Sequence, residues 1–169
     1  MASSVASSSS SSSSNSTWKK YHVFISFRGE DTRKTFTSHL YHAFSVKKIN
    51  AYIDEESLKK GDNISPSLLK AIEESMISVI ILSENYASSR WCLDELNQTL
   101  RCNETHNQIV VPIFYGVDPS DVRKQQRSYA SAFAAHENRF KDQVEKVQQW
   151  RNSLTRVADF SGFDSSNYW

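Results

Sequence analysis

The sequence predicts an open α/β domain with a parallel sheet and helices on both of its faces. Three observations carry this reading. From Tyr21 onward, short runs of β-branched and aromatic residues alternate with longer amphipathic stretches. Two of the runs, 77–83 (ISVIILS) and 109–115 (IVVPIFY), are almost continuously apolar, the pattern of strands buried on both faces. The 169-residue chain is 38% hydrophobic and 12% aromatic, enough to build one sizeable core.

The elements follow in order. Tyr21–Phe27 (YHVFISF) is the first strand. Phe36, Leu40, Ala43 and Phe44 then recur at helical spacing while Thr35, Ser38 and His42 take another side, so this helix buries one face and displays the other. The second strand is 51–54 (AYID). Ser65 and Pro66 supply an N-cap and a first-turn proline to a helix with an apolar stripe of Leu68, Leu69 and Ile72, ending near Ser75. After the third strand, 77–83, a helix runs from near Trp91 to about Asn103 with Cys92, Leu96, Thr99 and Leu100 facing inward. The fourth strand, 109–115, precedes a helix from Ser128 to about His136. A long last helix carries Val147, Trp150, Leu154, Val157 and Ala158, with Gly162 as its stop. Right-handed crossovers in such a sheet place ligand sites beyond the carboxyl ends of the strands, here 27–33, 54–64, 83–95 and 116–125.

Composition narrows the function. Eleven of the 29 serines fall in the first 17 positions, a segment without charge or aromatic residue. It reads as a disordered tail preceding a domain over 18–169, and it lacks the basic start and apolar stretch of a secretory signal. No uncharged apolar run approaches the roughly 18 residues of a membrane span. Twenty Lys and Arg against nineteen Asp and Glu leave a net charge of +1, which makes no electrostatic case for nucleic acid or an anionic membrane. Cys92 and Cys102, about 15 Å apart along one helix, cannot pair, in keeping with a reduced intracellular setting. The four glycines, Gly29, Gly61, Gly116 and Gly162, form no phosphate-binding glycine loop. His39 and His42 lack further ligands that would complete a metal site, and there is no GxSxG. The third strand ends in Leu82-Ser83, where a receiver domain would carry its phospho-acceptor aspartate.

Three segments at strand ends remain. In Arg28-Gly29-Glu30-Asp31-Thr32-Arg33, Gly29 permits a sharp turn, Asp31 or Thr32 can cap a helix, and amide donors with two guanidinium groups suit a pyrophosphate. A capped helix start with solvated charges explains the same residues. The loop 54–64 (DEESLKKGDNI) switches from acidic to basic before Gly61 and suits either docking and gating or plain solvation. In Trp91-Cys92-Leu93-Asp94-Glu95-Leu96, Glu95 lies one turn after Trp91 on the same side, while Asp94 is rotated by about 100°. A carboxylate beside an indole can hold ribose hydroxyls and stabilise the charge of a breaking glycosidic bond. An acid in a helix's first turns also opposes the dipole, with no chemistry at all.

Taken together, Tyr21–Arg33 (YHVFISFRGEDTR), 88–96 (SSRWCLDEL) and 111–124 (VPIFYGVDPSDVRK) resemble the plant branch of the Toll/interleukin-1 receptor (TIR) domain family, over about 20–163. The resemblance implies a flavodoxin-like fold of about five parallel strands, with 54–64 as the loop used for assembly and gating. It implies an NAD⁺ nucleosidase of plant innate immunity that cuts the nicotinamide–ribose bond to make ADP-ribose or cyclic ADP-ribose-type signals. NAD⁺ is then a substrate, with no permanently bound cofactor. The family's catalytic glutamate falls on Glu95. Its nucleotide-contacting regions fall on Arg28 to Arg33 and around Gly61, with Trp91 as a stacking surface. A Ser-His pair used for self-association with other TIR domains falls on Ser38 and His39, together with the last helix. The resemblance also implies a cytoplasmic, and in some cases nuclear, location. A non-catalytic TIR–TIR scaffold is the alternative. The chain departs from the family pattern at Ser57 (often acidic), Lys60 (often arginine) and Lys48-Ile49 (where glycine is usual).

Overall fold

The computed structural model describes residues 19–54 and 64–168. The serine-rich tail 1–17, Trp18, loop residues 55–63 with Ser57, Lys60 and Gly61, and Trp169 lie outside the described residues.

Five parallel strands form one sheet in the order β2-β1-β3-β4-β5: β1 (Tyr21–Phe27), β2 (Ala51–Ile53), β3 (Ser75–Leu82), β4 (Ile109–Phe114) and β5 (Phe163–Asp164). The helices are α1 (Gly29–Thr32), α2 (Ser38–Val46), α3 (Pro66–Glu73), α4 (Arg90–His106), α5 (Pro119–Lys124), α6 (Ser128–Arg139) and α7 (Val144–Val157). Strand β1 matches its sequence-predicted bounds, and β3 and β4 differ from theirs by two residues or fewer. Because the chain steps from β1 outward to β2 and then back past β1 to β3, the topological switch lies between β1 and β3.

Side-chain alternation along β1 assigns the two faces. Val23, Ile25 and Phe27 pack with Val79 and Ile81 under Phe36, Leu40 and Phe44 of the first helical segment. Phe24 turns the other way, toward Leu68 and Ile72 of α3 and Cys102 of α4, and Ser26 shares its parity. The largest cluster lies between the sheet and α4, α6 and α7, around Leu93, Leu96, Phe133, Trp150 and Leu154, all fully buried. Both cysteines are free and buried, as their spacing requires.

Four readings of the sequence are corrected. The first helix is not continuous. After α1 comes a π-helical turn, Arg33–Thr37, in which Thr35 leaves helical geometry (φ −123°, ψ −105°), and Ala43 of the expected stripe is exposed. Threonine hydroxyls compete with the backbone there: Thr32 Oγ1 and Thr37 Oγ1 pair at 2.7 Å, and Thr35 Oγ1 donates to the Thr32 carbonyl. Helix α5 was legible in Asp118-Pro119 but unclaimed; the Asp118 carboxylate accepts from Ser120 N at 2.7 Å as N-cap. Gly162 is not the stop of α7, which ends at Val157 with Ala158 as its cap; it is the entry to β5. A Cβ on it would lie 2.0 Å from the Pro112 carbonyl oxygen, so only glycine lets β5 approach β4. The apolar stripe of α7, expected to serve association, is buried within the domain.

Lys48, in the Lys48-Ile49 pair where the resemblance implies a glycine, has φ 57°. It follows the Lys47 C-cap of α2 and takes the left-handed region, while Ile49 N bonds to the Phe44 carbonyl at 2.9 Å. Lys48→Gly should therefore stabilise the domain by about 1 kcal/mol and raise its thermal midpoint by about 3 °C, measured by circular dichroism.

Candidate functional site

The crevice at the β1/β3 carboxyl ends is built by four segments. Ser89 caps α4 by accepting from Cys92 N at 3.2 Å, and this fixes the phase of the helix's first turns. Asp94 consequently points away, accepting from Trp150 Nε1 of α7 at 3.0 Å. Glu95 points inward and is 2% exposed. The i, i+4 reading separated these two carboxylates correctly.

Around Glu95 the structure gathers a set of polar side chains. Trp91, on the same side of α4, donates its indole N–H to Asp54 Oδ2 at 2.9 Å. Asp54 stands at the carboxyl end of β2, and its carbonyl accepts from Arg33 Nη2 at 3.3 Å. The Arg33 guanidinium also lies over the Phe27 ring, 4.9 Å from its centroid. Ser26, from β1, lies near Glu95, and its Oγ is 2.8 Å from the Tyr86 hydroxyl. Tyr86 belongs to the 3₁₀ turn Tyr86–Ser88 before α4, and its hydroxyl donates to the Cys92 carbonyl at 3.0 Å.

Electrostatics follow from burial. Desolvation pushes the Glu95 pKa from its ordinary 4.5 up to about 8. The neighbouring Asp54 and Asp94 charges push the same way, while the nearby polar groups of Ser26 and Trp91 oppose them. Burial likewise raises the Cys92 thiol, and the Glu95 charge adds to it, so the thiol is no ready nucleophile. An elevated carboxyl buried beneath the switch point, on the same side of α4 as Trp91, is a candidate for chemistry.

The first loop does less than its sequence suggested. Arg28 occupies the N-cap of α1 without a side-chain capping bond, so neither Asp31 nor Thr32 caps this four-residue helix. Asp31 instead reaches across the crevice, accepting from Ser83 Oγ at 2.6 Å and from Asn85 N and Nδ2 at 2.9 and 3.1 Å. It braces the β1 and β3 ends. Thr32 is buried against Thr37. Glu30 is exposed and pairs with Arg28 Nη2 at 3.2 Å. Gly29 has no positive φ; a Cβ there would press on the Arg33 guanidinium at 3.2 Å, so the glycine makes room rather than a turn. Among the described residues, Arg28 Nε is buried without an acceptor. Ser38 and His39 stand together on the exposed start of α2, where Ser38 Oγ donates to the Thr35 carbonyl. Gly61 lies outside the described residues.

Sequence reading singled out the segments 54–64 and 83–95 that hold Asp54 and Tyr86 but named neither residue, and it passed over Ser26. The one available signal was Ser26, a polar residue inside an otherwise buried apolar run.

A five-stranded parallel sheet with helices on both faces and a polar crevice at its switch point defines a flavodoxin-like α/β domain. The chain belongs to the TIR domain family, whose model matches residues 20–168. Its homologues are plant TIR-type disease-resistance proteins. It is 52% identical over 162 residues to TMV resistance protein N of Nicotiana glutinosa, covering 96% of this chain and 13% of that protein. It is 53% identical over 143 residues to disease resistance protein RPV1 of Vitis rotundifolia, covering 85% and 10%. The chain thus spans only about a tenth to an eighth of the length of these relatives. Among solved structures, the TIR domains of the activated Roq1 resistosome, which directly recognises the pathogen effector XopQ, superpose with a TM-score of 0.82 at 51% identity, over 88% of this chain and 89% of that one.

Proposed function

We propose that this domain cleaves NAD⁺ at the nicotinamide–ribose bond, with Glu95 as the catalytic carboxylate, as a signalling step in plant immunity inside the cell. The observation that carries the reading is the buried Glu95 carboxyl beside Trp91 at the switch-point crevice. When the C1′–N bond breaks, the electron pair leaves with neutral nicotinamide and positive charge develops on the ribose. An ionised Glu95 stabilises that charge and holds the ribose hydroxyls. Water adding at C1′ and losing a proton gives ADP-ribose; an adenine nitrogen adding instead gives a cyclic product. Arg28, with its buried Nε, and Arg33 at the crevice edge serve the pyrophosphate. Trp91 offers its ring face for stacking.

In the present conformation Glu95 is closed off. The Trp91–Asp54 hydrogen bond ties α4 to the residue that begins the 54–64 loop, so substrate entry requires this contact to open. Self-association through Ser38 and His39, with the loop placed against a neighbouring copy, supplies the free energy of opening. Nicotinamide release should therefore rise more steeply than linearly as the protein is concentrated on a surface, and Ser38→Ala with His39→Ala should return it to the dilute rate. The closed Glu95 also favours a second reading, a non-catalytic scaffold for other TIR domains. No nicotinamide at any density would select that reading.

A further inference from the structure

We infer that His136 and Tyr129 of α6 are positioning residues: they hold two carbonyls of the connection between β3 and α4, and through it set where α4 presents Trp91 and Glu95. Two helical turns separate them, so they share one face of α6. Both are buried. The Tyr129 hydroxyl donates to the Ser83 carbonyl at 2.8 Å, and His136 Nε2 lies 2.7 Å from the Ala87 carbonyl oxygen. A carbonyl can only accept, so the imidazole carries a hydrogen on Nε2. Burial holds the His136 pKa below its ordinary value, so at neutral pH this is the ring's one N–H hydrogen.

The ring is held in place by its neighbours. Phe133 meets it edge-on with centroids 5.7 Å apart, and Phe140 and Trp150 stand 6.1 and 5.1 Å away. Trp150 carries a second tie to the same helix, donating its indole N–H to Asp94 of α4 at 3.0 Å. One aromatic cluster thus grips the chain on both sides of Trp91, at Ala87 before α4 and at Asp94 within it.

The segment between these grips has little slack. Tyr86 N bonds to the Ser83 carbonyl at 3.2 Å, Ser88 N to the Asn85 carbonyl at 3.0 Å and Ser89 N to the Tyr86 carbonyl at 3.3 Å, which ties 83–89 into one turn. That turn is fastened to α4 through Cys92, whose N–H donates to Ser89 Oγ at 3.2 Å and whose carbonyl accepts from the Tyr86 hydroxyl at 3.0 Å. Displacing the Ala87 carbonyl therefore displaces the first turn of α4. This first turn carries Trp91, whose indole N–H reaches Asp54, and leads directly to Glu95. Catalysis is sensitive to such motion, since a misplacement of about 1 Å can cost about a hundredfold in rate.

The kinetic consequence rests on the nucleosidase reading, but the structural test does not. Full-length protein is compared with His136→Leu, His136→Gln and Tyr129→Phe by NMR hydrogen exchange, with Trp91→Phe identifying the Trp91 indole signal. Leucine leaves the buried Ala87 carbonyl without its donor, whereas the amide of glutamine can take the place of Nε2. Exchange of the Trp91 indole N–H should be about tenfold faster in His136→Leu and in Tyr129→Phe while the amides of β4 keep their rates, and His136→Gln should restore the wild-type value. Nicotinamide release at high surface density should fall by about tenfold in the same two variants and recover with glutamine. Equal acceleration of Trp91 and β4 would mean general destabilisation and overturn the inference, as would an unmoved Trp91 signal or a glutamine variant that fails to restore it. Should His136→Leu not fold, Tyr129→Phe decides by the same contrast between Trp91 and β4. No release by the wild type, with the selective exchange effect intact, sinks the nucleosidase reading and leaves the positioning roles standing.

Discussion

Glu95→Gln is expected to be more stable than the wild-type protein at pH 8, and this advantage should vanish toward pH 4. The folded domain holds the Glu95 proton up to about pH 8, whereas the unfolded chain releases it near 4.5. Between those values the native state binds more protons than the unfolded one, so this group makes stability fall as pH rises. Below 4.5 both states are protonated and the penalty disappears. A raised value of about 8 corresponds to a cost on the order of 3 kcal/mol at pH 8 relative to pH 5. Glutamine has nearly the same shape and carries no charge, so it escapes that cost. Urea unfolding of both proteins at pH 5 and pH 8 measures the difference directly. Equal denaturation midpoints at pH 8 would show that Glu95 ionises in the fold as easily as in the open chain. Such a penalty, tolerated in the core, is expected where function requires a buried carboxyl.

The strand framework and the catalytic candidate were legible because local signals dictated them. Continuous apolar runs gave β3 and β4, and one helical turn placed Glu95 beside Trp91 while sending Asp94 elsewhere. The rest depended on residues distant in sequence. Ser26 joins Tyr86 across sixty positions, and Asp54 meets Trp91 across thirty-seven; neither spacing carries a local pattern. Asp31 looked like a helix cap because its type and position suited one, yet Ser83 and Asn85 offered three better donors from the neighbouring strand end. The two residues of β5 are too short to show alternation. They become recognisable only through Gly162, whose close approach to Pro112 is a tertiary fact. The break at Thr35 likewise needed the Thr32–Thr37 hydroxyl pair, which overrode an intact apolar spacing.

The largest effect on activity is expected at the same residue. Glutamine at 95 keeps the volume and a hydrogen-bonding group but cannot carry negative charge, so under the proposed nucleosidase reading it would still admit NAD⁺ yet leave the developing ribose cation unopposed. Loss of a preorganised charge of this kind lowers turnover by about a thousandfold. The urea unfolding of the variant at the assay pH separates a loss of chemistry from misfolding. The decisive measurement is the initial rate of nicotinamide release from NAD⁺ by wild-type protein and Glu95→Gln, immobilised at the same high surface density near pH 8, with products separated chromatographically. The account predicts clear release by the wild type and a rate about a thousandfold lower for the variant. Equal rates for the two proteins, or no release by the wild type, would contradict it.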